Sequence, residues 1–357
     1  MAYTNIDDPS AYFQTATYTG AGANQTVTND GNSDLQPDFL WIKRRNAGYG
    51  HVLVDSNRGL GSSNPPYLAS EATDAENSNQ NWISGVGTNG FTIGINEQNL
   101  SNTSGTYVAW QWKANGGTTS SNTSGGITTT VQANTDAGFS IVTYTGDGAT
   151  SQTVGHGLGA VPKMIISKDR DATSNVPTWR CYHEAIGNTK YLTLNATDAA
   201  ATFDDWGNTT PTSSVYTIGG SGGYRPTNTN NTEYIAYVFA EKQGYSKFGS
   251  YVGNGNANGS FIYTGFKPAF VMVKRSDGTS DWTILDNKRE GYNLINKRLV
   301  ANSSAAEATY NVLDFVSNGF KFRDGDGIWN GSGSTYIYMA FAENPFTTST
   351  GIPTTAR

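Results

Sequence analysis

The sequence predicts an all-β protein made of three tandem β-sandwich domains of jelly-roll type. Its 357 residues include 42 glycines, 20 tyrosines, 15 phenylalanines and 8 tryptophans, but only 15% are charged. This composition is typical of short, aromatic-rich strands joined by tight turns. The length predicts two or three domains at roughly 100–200 residues each, and one strand motif occurs three times.

The repeated motif is an apolar strand that opens with proline and closes with lysine. It occupies residues 37–43 (PDFLWIK), 162–168 (PKMIISK) and 268–274 (PAFVMVK). A tyrosine precedes each motif and another opens a later strand, always in the same order and at similar spacing. The preceding tyrosines are Tyr18, Tyr144 and Tyr251, and the later ones are Tyr107, Tyr234 and Tyr336. Order and spacing together indicate three copies of one unit.

The first and third copies match further in the middle of the unit, where the second copy diverges. We align Asp55 and Arg58 with Asp286 and Arg289, Glu71 with Glu307, and the Asn-Gly-Phe at Asn89 with that at Asn318. The second copy keeps Trp179, aligned with Trp282, but has His183 near the expected aspartate and lacks the Asn-Gly-Phe. A role tied to this segment is therefore not expected in the second copy.

The spacing of the motifs predicts the domain organisation. We expect repeat 1 at residues 1–114, a Gly/Ser/Thr-rich linker at 115–136, repeat 2 at 137–243, repeat 3 at 244–346 and a tail at 347–357. The linker has no apolar periodicity, so repeats 1 and 2 are expected to move relative to each other. The connection at residues 242–247 is short, so repeats 2 and 3 are expected to pack together.

Strand positions follow from alternation and from turn residues. In residues 336–342 both parities are apolar or aromatic, which predicts a strand buried on both faces. Glycine-rich turns such as residues 219–223 and 331–333 separate the strands. Weak helical periodicity at residues 70–77 and 303–310 predicts one or two helical turns. The terminal segments 1–11 and 347–357 lack core-building residues. We expect them to dock on partner proteins and to become ordered only on assembly.

Charge and cysteine content exclude several classes of function. The net charge of −6 argues against nucleic acid as a partner, because a phosphate-binding surface needs clustered Lys and Arg. The single cysteine, Cys181, cannot form an intrachain disulfide. The first residues do not resemble a secretory signal and no apolar run is long enough to cross a membrane, so we expect assembly in a host cytoplasm and release by lysis.

The full constellation resembles a domain of unknown function that is common in tail-fibre-like and other structural proteins of marine tailed phages. The resemblance rests on the Pro-x-Phe-Val-x-Val-Lys strand, the Trp/Asp/Arg-Gly segment, Asn-Gly-Phe, and the C-terminal stretch 333–346. It covers most of repeats 1 and 3 and, more loosely, repeat 2. It implies a concanavalin-like or related sandwich in a virion component, often in tandem, without catalytic residues. Repeat 1 departs from the pattern at Trp110, Trp112 and Lys113, which predicts an altered contact with its neighbour.

No catalytic, cofactor-binding or metal site is predicted, and the residues of any ligand site stay unknown. His51, His156 and His183 share no metal-ligand spacing, so a structural role is favoured for each. A glycosidase needs two carboxylates roughly 5 to 10 Å apart in a cleft. Asp204 and Asp205 are adjacent candidates, while Asp55 and Asp286 recur with an arginine and fit structural ion pairs better.

Two further candidates concern calcium and sugars. The loop 324–327 (DGDG) carries two carboxylates but lacks a distal glutamate at the spacing of a known calcium loop, so a hairpin turn is favoured. Tyr49 and Tyr224 lie beside glycines and are candidate exposed rings for stacking on sugars, although most aromatic residues are expected in the core.

These observations lead to one expected function and two alternatives. We expect a non-enzymatic structural component of a tailed-phage virion, in the tail or on the capsid surface, whose partners are other virion proteins or copies of itself. The first alternative is an adhesin that binds host surface glycans, and the second is a glycan-degrading depolymerase.

Overall fold

The computed structural model describes residues 3–62, 64–77, 82–172 and 177–354, and it confirms the all-β class. In that part of the chain, strands are accompanied only by three short 3-10 helices, at Pro9–Ala11, Ser56–Arg58 and Glu184–Ile186. No helix among these residues has the length and apolar character needed to cross a bilayer.

The strands are numbered along the chain. Repeat 1 contains β1 (Phe13–Thr19), β2 (Gln25–Thr28), β3 (Phe39–Arg44), β4 (Val52–Asp55), β5 (Ile83–Gly87), β6 (Gly90–Ile93) and β7 (Thr106–Trp112). The next ten are β8 (Ser120–Asn122), β9 (Thr129–Asn134), β10 (Phe139–Thr145), β11 (Ser151–Gly155), β12 (Pro162–Asp169), β13 (Arg180–His183), β14 (Lys190–Thr193), β15 (Ala201–Thr202), β16 (Val215–Gly219) and β17 (Glu233–Ala240). Repeat 3 contains β18 (Ser246–Val252), β19 (Phe261–Tyr263), β20 (Phe266–Arg275), β21 (Thr283–Asp286), β22 (Ile295–Val300), β23 (Ala308–Val316), β24 (Gly319–Phe322) and β25 (Thr335–Pro345).

Each repeat contributes four antiparallel strands in the same spatial order. The order is β1-β7-β3-β4 in repeat 1, β10-β17-β12-β13 in repeat 2 and β18-β25-β20-β21 in repeat 3. The Pro/Lys motif strand is β3, β12 or β20, and it pairs with the strand whose second residue is the later tyrosine. The sequence repeat is therefore also a repeat of topology.

The strands at the centre of these sheets are buried on both faces, as their sequences predict. In β25, Ile337, Met339 and Phe341 enter one apolar cluster, whereas Tyr336 and Tyr338 enter another. Burying apolar side chains on both faces stabilises the sheet, by about 1.5–3 kcal/mol for each large side chain removed from water.

One of these clusters is shared by all three repeats, and we call it the central core. Ring contacts join the repeats pairwise there. Phe39 stacks on Tyr237 with centroids 4.0 Å apart, Trp112 meets Phe270 edge-to-face at 5.7 Å, and Phe239 contacts Phe341 at 5.9 Å. Every one of these rings is nearly excluded from solvent. The three four-stranded sheets thus face one another around a common aromatic centre.

The opposite face of each sheet covers an apolar cluster of its own. In repeat 1 it packs on β2, β5 and β6, which form a second, three-stranded sheet. In repeat 2 the second layer includes β11 and β16. In repeat 3 the strands β22, β23, β24 and β19 continue from the edge of the first sheet and close over the third cluster.

The predicted linker at residues 115–136 contains β8 and β9. These strands form a hairpin that extends the sheet of repeat 2, with Phe139 opposite Asn134 and Thr143 opposite Thr130. The start of the segment is held by the carboxylate of Asp38, which accepts hydrogen bonds from the backbone N–H groups of residues 114, 116 and 117 at 2.7–2.9 Å. The expectation that repeats 1 and 2 move freely is wrong, because their side chains share the central core and this segment is paired.

Two smaller expectations were also wrong. Residues 70–77 and 303–310 contain no helical turn, and the second of these segments leads into β23. The described part of the N-terminal tail is docked: Ile6 enters the central core and Tyr3 Oη donates to the carbonyl of Gly265. The two tails meet where Asp7 accepts a hydrogen bond from the backbone of Ser349 at 2.6 Å. Residues 1–2 and 355–357 of the predicted tails lie outside the described residues.

Candidate functional site

Several of the polar side chains that the sequence singles out, among them the three motif lysines, lie at the boundaries between repeats. Each boundary is formed by one segment from a repeat and by the motif strand of the next repeat. We call these the junction segments, and they are residues 69–76 of repeat 1, 193–200 of repeat 2 and 300–307 of repeat 3. They contact repeats 2, 3 and 1, respectively, so the three boundaries close into a ring.

A ring N–H binds the first carbonyl of every junction segment. The donor is the residue just before β4, β13 or β21. The three bonds are Trp179 Nε1 to Ala69 O (2.9 Å), Trp282 Nε1 to Thr193 O (2.9 Å) and His51 Nε2 to Val300 O (3.0 Å). The predicted alignment of Trp179 with Trp282 is confirmed by this shared bond, and His51 occupies the corresponding position in repeat 1.

The three motif lysines are buried and bind the fifth residue of each junction segment. Their ammonium groups also donate to the carbonyl of the residue that follows them in the chain. The cross-repeat bonds are Lys43 to Ser304 O (3.1 Å), Lys168 to Thr73 O (3.2 Å) and Lys274 to Thr197 O (3.1 Å). Burial lowers the pKa of each lysine to about 8, because the charged form loses solvation. The lysines that end the sequence motif thus hold the repeats together.

The eighth residue of each junction segment donates its backbone N–H across the boundary, and at two boundaries it is also a glutamate in an ion-pair network. Glu76 joins Arg58 of its own repeat to Arg170 of repeat 2, and Glu307 joins Arg289 to Arg45 of repeat 1. At the third boundary the eighth residue is Ala200, whose N–H binds the carbonyl of Ser276 at 2.9 Å. The structural counterpart of Glu307 is therefore Glu76.

The alignment of Glu71 with Glu307 was wrong by five residues. Glu71 is the third residue of its junction segment and accepts a hydrogen bond from the backbone of His51. Asn195 and Asn302 are the third residues of the other segments and accept the same bond from Trp179 and Trp282. The Glu-Ala-Thr triplets matched in sequence but occupy different positions in the junction.

The recurring aspartates are structural, as favoured from the sequence. Asp55 and Asp286 each bind the arginine three residues later, with all four side chains excluded from solvent. Each also accepts a hydrogen bond from the next repeat in the ring, from Tyr237 Oη to Asp55 (2.8 Å) or from Trp110 Nε1 to Asp286 (2.9 Å). The predicted unusual contact of Trp110 with a neighbouring repeat is this bond.

At the boundary between repeats 2 and 3 both members of that pairing differ. His183 stands where the aspartate is expected, and Met339 of repeat 3 stands where the other boundaries have a tyrosine or tryptophan donor. His183 binds the backbone carbonyl of Tyr338 at 3.1 Å. A thioether cannot donate a hydrogen bond, so the loss of the acidic acceptor in repeat 2 matches the loss of the donor in repeat 3.

All three histidines have both ring nitrogens engaged. Nδ1 accepts from Trp41 Nε1 in His51, from the backbone N–H of Leu158 in His156 and from that of Ala185 in His183. Nε2 faces a backbone carbonyl in every case. Burial lowers the pKa to about 3 for His51 and to about 4 for His156 and His183. With no free nitrogen, none of them is placed to act as a base or as a metal ligand.

The adjacent carboxylates of repeat 2 lie in different surroundings. Asp205 is buried 3.4 Å from Arg180, and burial raises the pKa of its carboxyl group to about 6. Asp204 lies nearer the surface and accepts hydrogen bonds from Ser221. Cys181, on the strand that carries Arg180, is a buried free thiol whose pKa is raised by burial.

The 324–327 loop is not a hairpin turn, because the strands on either side of it, β24 and β25, are not paired with each other. Asp324 accepts hydrogen bonds from the Trp329 indole and from the N–H of Asp326, so its carboxylate is used within the loop. Within the described ranges, no three His, Cys, Asp or Glu side chains come together closely enough to hold a metal ion.

The two tyrosines proposed for sugar stacking are far from equivalent. Tyr49 is half-buried beneath the guanidinium group of Arg44, 4.7 Å from its ring centroid. Tyr224 is 37% exposed and contacts Phe203 edge-to-face. A different group of exposed rings, which the sequence did not single out, lies where the N-terminus meets repeat 3. There Tyr3 contacts Tyr263 and Phe346.

Comparison with known proteins gives one match. The model of a family described as a domain of unknown function (DUF7483) matches residues 8–345. The matched unit therefore spans all three repeats and all three junctions. Neither the curated proteins nor the solved structures contain a match.

Proposed function

The chain belongs to the family of the domain of unknown function DUF7483, and we propose that it is a structural component of a tailed-phage virion in which its three repeats act as one unit. In this role it forms a rigid block in the tail or on the capsid surface. Its partners are other virion proteins or further copies of itself, and it has no catalytic activity. The sequence resemblance to phage structural proteins supports the virion setting.

One observation carries the structural part of this proposal. The side chains best suited to act as acids, bases or metal ligands are the three motif lysines and the three histidines. All six are buried and bonded to backbone or to neighbouring side chains. Five of these six groups bond across a boundary and stabilise one relative placement of the repeats, while His156 is bonded within repeat 2; catalysis would need such groups free to meet a substrate. We further propose that each repeat is a two-sheet sandwich related to the jelly-roll and concanavalin-like folds.

The virion role is tested with purified particles. Density-gradient particles of the phage that carries the gene are digested and mapped by mass spectrometry, with the host lysate as the comparison. We expect peptides from all three repeats at a copy number comparable to that of tail or surface proteins. Enrichment in the soluble lysate and absence from the particles would exclude the proposal.

A second candidate function, recognition of host surface glycans, is favoured by the exposed rings of Tyr263 and its neighbours. Tyr263 is 55% exposed and Phe346 is 37% exposed, and planar rings of this kind stack on sugar faces. A glycan array with the full chain tests it, with Tyr263→Ala as the variant and Tyr292→Ala, at another exposed tyrosine, as the control. Release of new reducing ends from host polysaccharide would instead identify a depolymerase.

A further inference from the structure

The sheet of repeat 2 differs at one edge from those of repeats 1 and 3, in which β1 and β18 are edge strands. In repeat 2, β10 pairs with β17 on one side and with β9 on the other. In repeat 1 the corresponding strand, β1, pairs only with β7 and ends its sheet. An unpaired edge strand presents backbone N–H and C=O groups that can accept a further strand.

At the boundary between repeats 1 and 2, β9 fills the space beside β10. The side chain of Asn57 in repeat 1 donates to the carbonyls of Thr130 in β9 and Ile141 in β10, both at 3.0 Å. The neighbouring Ser56 donates to the side chain of Gln132, also in β9, at 3.1 Å. The resident strand is therefore held both by its sheet and by the adjoining repeat.

At the boundary between repeats 3 and 1, the corresponding space is a cleft. Its volume is about 440 Å³, and it lies between Phe13–Thr15 of β1, the loop 30–32, and residues 287–291 of repeat 3. Asn287 and Lys288 occupy the positions of Ser56 and Asn57. Lys288 forms an ion pair with Asp30 across the boundary at 2.8 Å.

Two buried polar atoms beside this cleft have no hydrogen-bond partner. They are the hydroxyl of Thr15, whose residue is only 4% exposed, and the side-chain carbonyl of Asn287. A buried polar group without a partner is destabilising by about 1–3 kcal/mol. A ligand that forms hydrogen bonds with these two atoms would recover part of that free energy on binding. Both atoms belong to residues that line the cleft.

We propose that this cleft accepts an extended strand of another protein, which pairs with β1 as β9 pairs with β10. The resident β9 indicates the chemistry of the occupant: an uncharged segment of small and β-branched residues, like Thr129–Asn134. The charges beside the cleft favour the same chemistry, because Lys288 is paired with Asp30 and Lys267 with Glu343. This is recognition by strand addition, in which backbone bonds supply affinity. It requires only the ring of repeats and is independent of the virion role.

The probe is a synthetic peptide of residues 117–136, the chain's own β8–β9 hairpin, added to the full-length protein. Hydrogen exchange monitored by mass spectrometry should show added protection in residues 13–17. The variant Asn32→Trp places a bulky ring on the exposed rim of the cleft and should weaken peptide binding by about tenfold or more. Asn64→Trp, at another exposed asparagine, is the matched control and should leave the affinity unchanged.

Any one of the following results would overturn the proposal. The first is an absence of added protection in β1 at saturating peptide. The second is protection that changes only in β10, which would mean that the peptide displaces the resident hairpin. The third is equal binding by Asn32→Trp or equal protection by a scrambled peptide, either of which would show that the cleft does not recognise the strand.

Discussion

The indole nitrogen of Trp41 donates a hydrogen bond to Nδ1 of His51, 2.8 Å away in the central part of repeat 1. Nδ1 must therefore be unprotonated, and Nε2 carries the hydrogen that binds Val300 O of repeat 3. At the equivalent positions, repeats 2 and 3 have Trp179 and Trp282, with Ile166 and Met272 in place of Trp41. The orientation and protonation of His51 in repeat 1 thus depend on Trp41, whereas Trp179 and Trp282 carry a ring N–H without such a partner strand residue.

The first prediction concerns this pair. His51→Trp keeps an N–H for Val300 but removes the acceptor for Trp41 and crowds the site, so it should lower the free energy of unfolding by about 1–3 kcal/mol. The double variant Trp41→Met/His51→Trp copies the arrangement of repeat 3 and should recover most of that loss. Urea unfolding followed by fluorescence measures both. A double variant less stable than the single one would contradict the equivalence of the junctions.

The second prediction is a loss of stability in acid. The folded-state pKa values of about 3 for His51 and about 4 for His156 and His183 lie below the ordinary value of 6.5. At these residues the unfolded chain therefore binds protons first, so the histidine contribution to stability should be full above pH 6.5 and fall as the pH drops towards 4, whereas the raised pKa of Asp205 acts in the opposite direction over the same range. Each buried histidine contributes up to about 3 kcal/mol to the loss, at about 1.4 kcal/mol per pKa unit.

Urea unfolding at several pH values between 7 and 4 tests this. The variant Trp41→Met/His51→Trp has one fewer histidine and should show a shallower decline than the parent protein over the same range. Identical slopes for the two proteins would show that His51 does not titrate as its burial implies.

The third prediction separates two buried tyrosines. Tyr237→Phe removes a donor from the buried carboxylate of Asp55 and should lower the free energy of unfolding by about 1–3 kcal/mol. Tyr216→Phe is the control, because the Tyr216 hydroxyl is buried without a hydrogen-bond partner and its removal should be neutral or slightly stabilising. Thermal and urea unfolding of both variants give the comparison. Equal losses would mean that the Asp55 contact adds nothing.

The fourth prediction is that the repeats do not fold separately. Repeat 2 alone, residues 137–243, would expose Phe139, Tyr237 and Phe239, which the full chain buries in the central core. This fragment should show poor dispersion in NMR spectra and bind a hydrophobic dye, whereas the full chain should unfold in one calorimetric transition. A well-dispersed spectrum from the fragment would show that its own cluster is sufficient.

The features that the sequence predicted well are local ones. Alternation and turn residues located the motif strands, because a strand's side chains point to opposite faces at every second residue. The match of Trp179 with Trp282 and the substitution of His183 for an aspartate were also visible, since each residue lies directly beside a recognisable strand. The Glu71 alignment failed because a three-residue match carries too little information to define a position within a loop.

The apparent linker shows where composition was misleading. Residues 115–136 are rich in Gly, Ser and Thr, but threonine also favours strands, and pairing with β10 supplies the hydrogen bonds that order them. A sequence pattern does not reveal such a partner strand in advance.

The sequence by itself determined the all-β class, the threefold repetition and the strands that each repeat contributes, because these depend on neighbours close along the chain. Only the tertiary structure decided that the repeats close into a ring. That ring depends on contacts between residues far apart in sequence, such as Lys43 with Ser304 and Phe39 with Tyr237. The lysine recurs in the sequence motif, but its partner across the boundary is not visible in the sequence, since each contact requires the complementary shape and hydrogen-bonding groups of a second repeat.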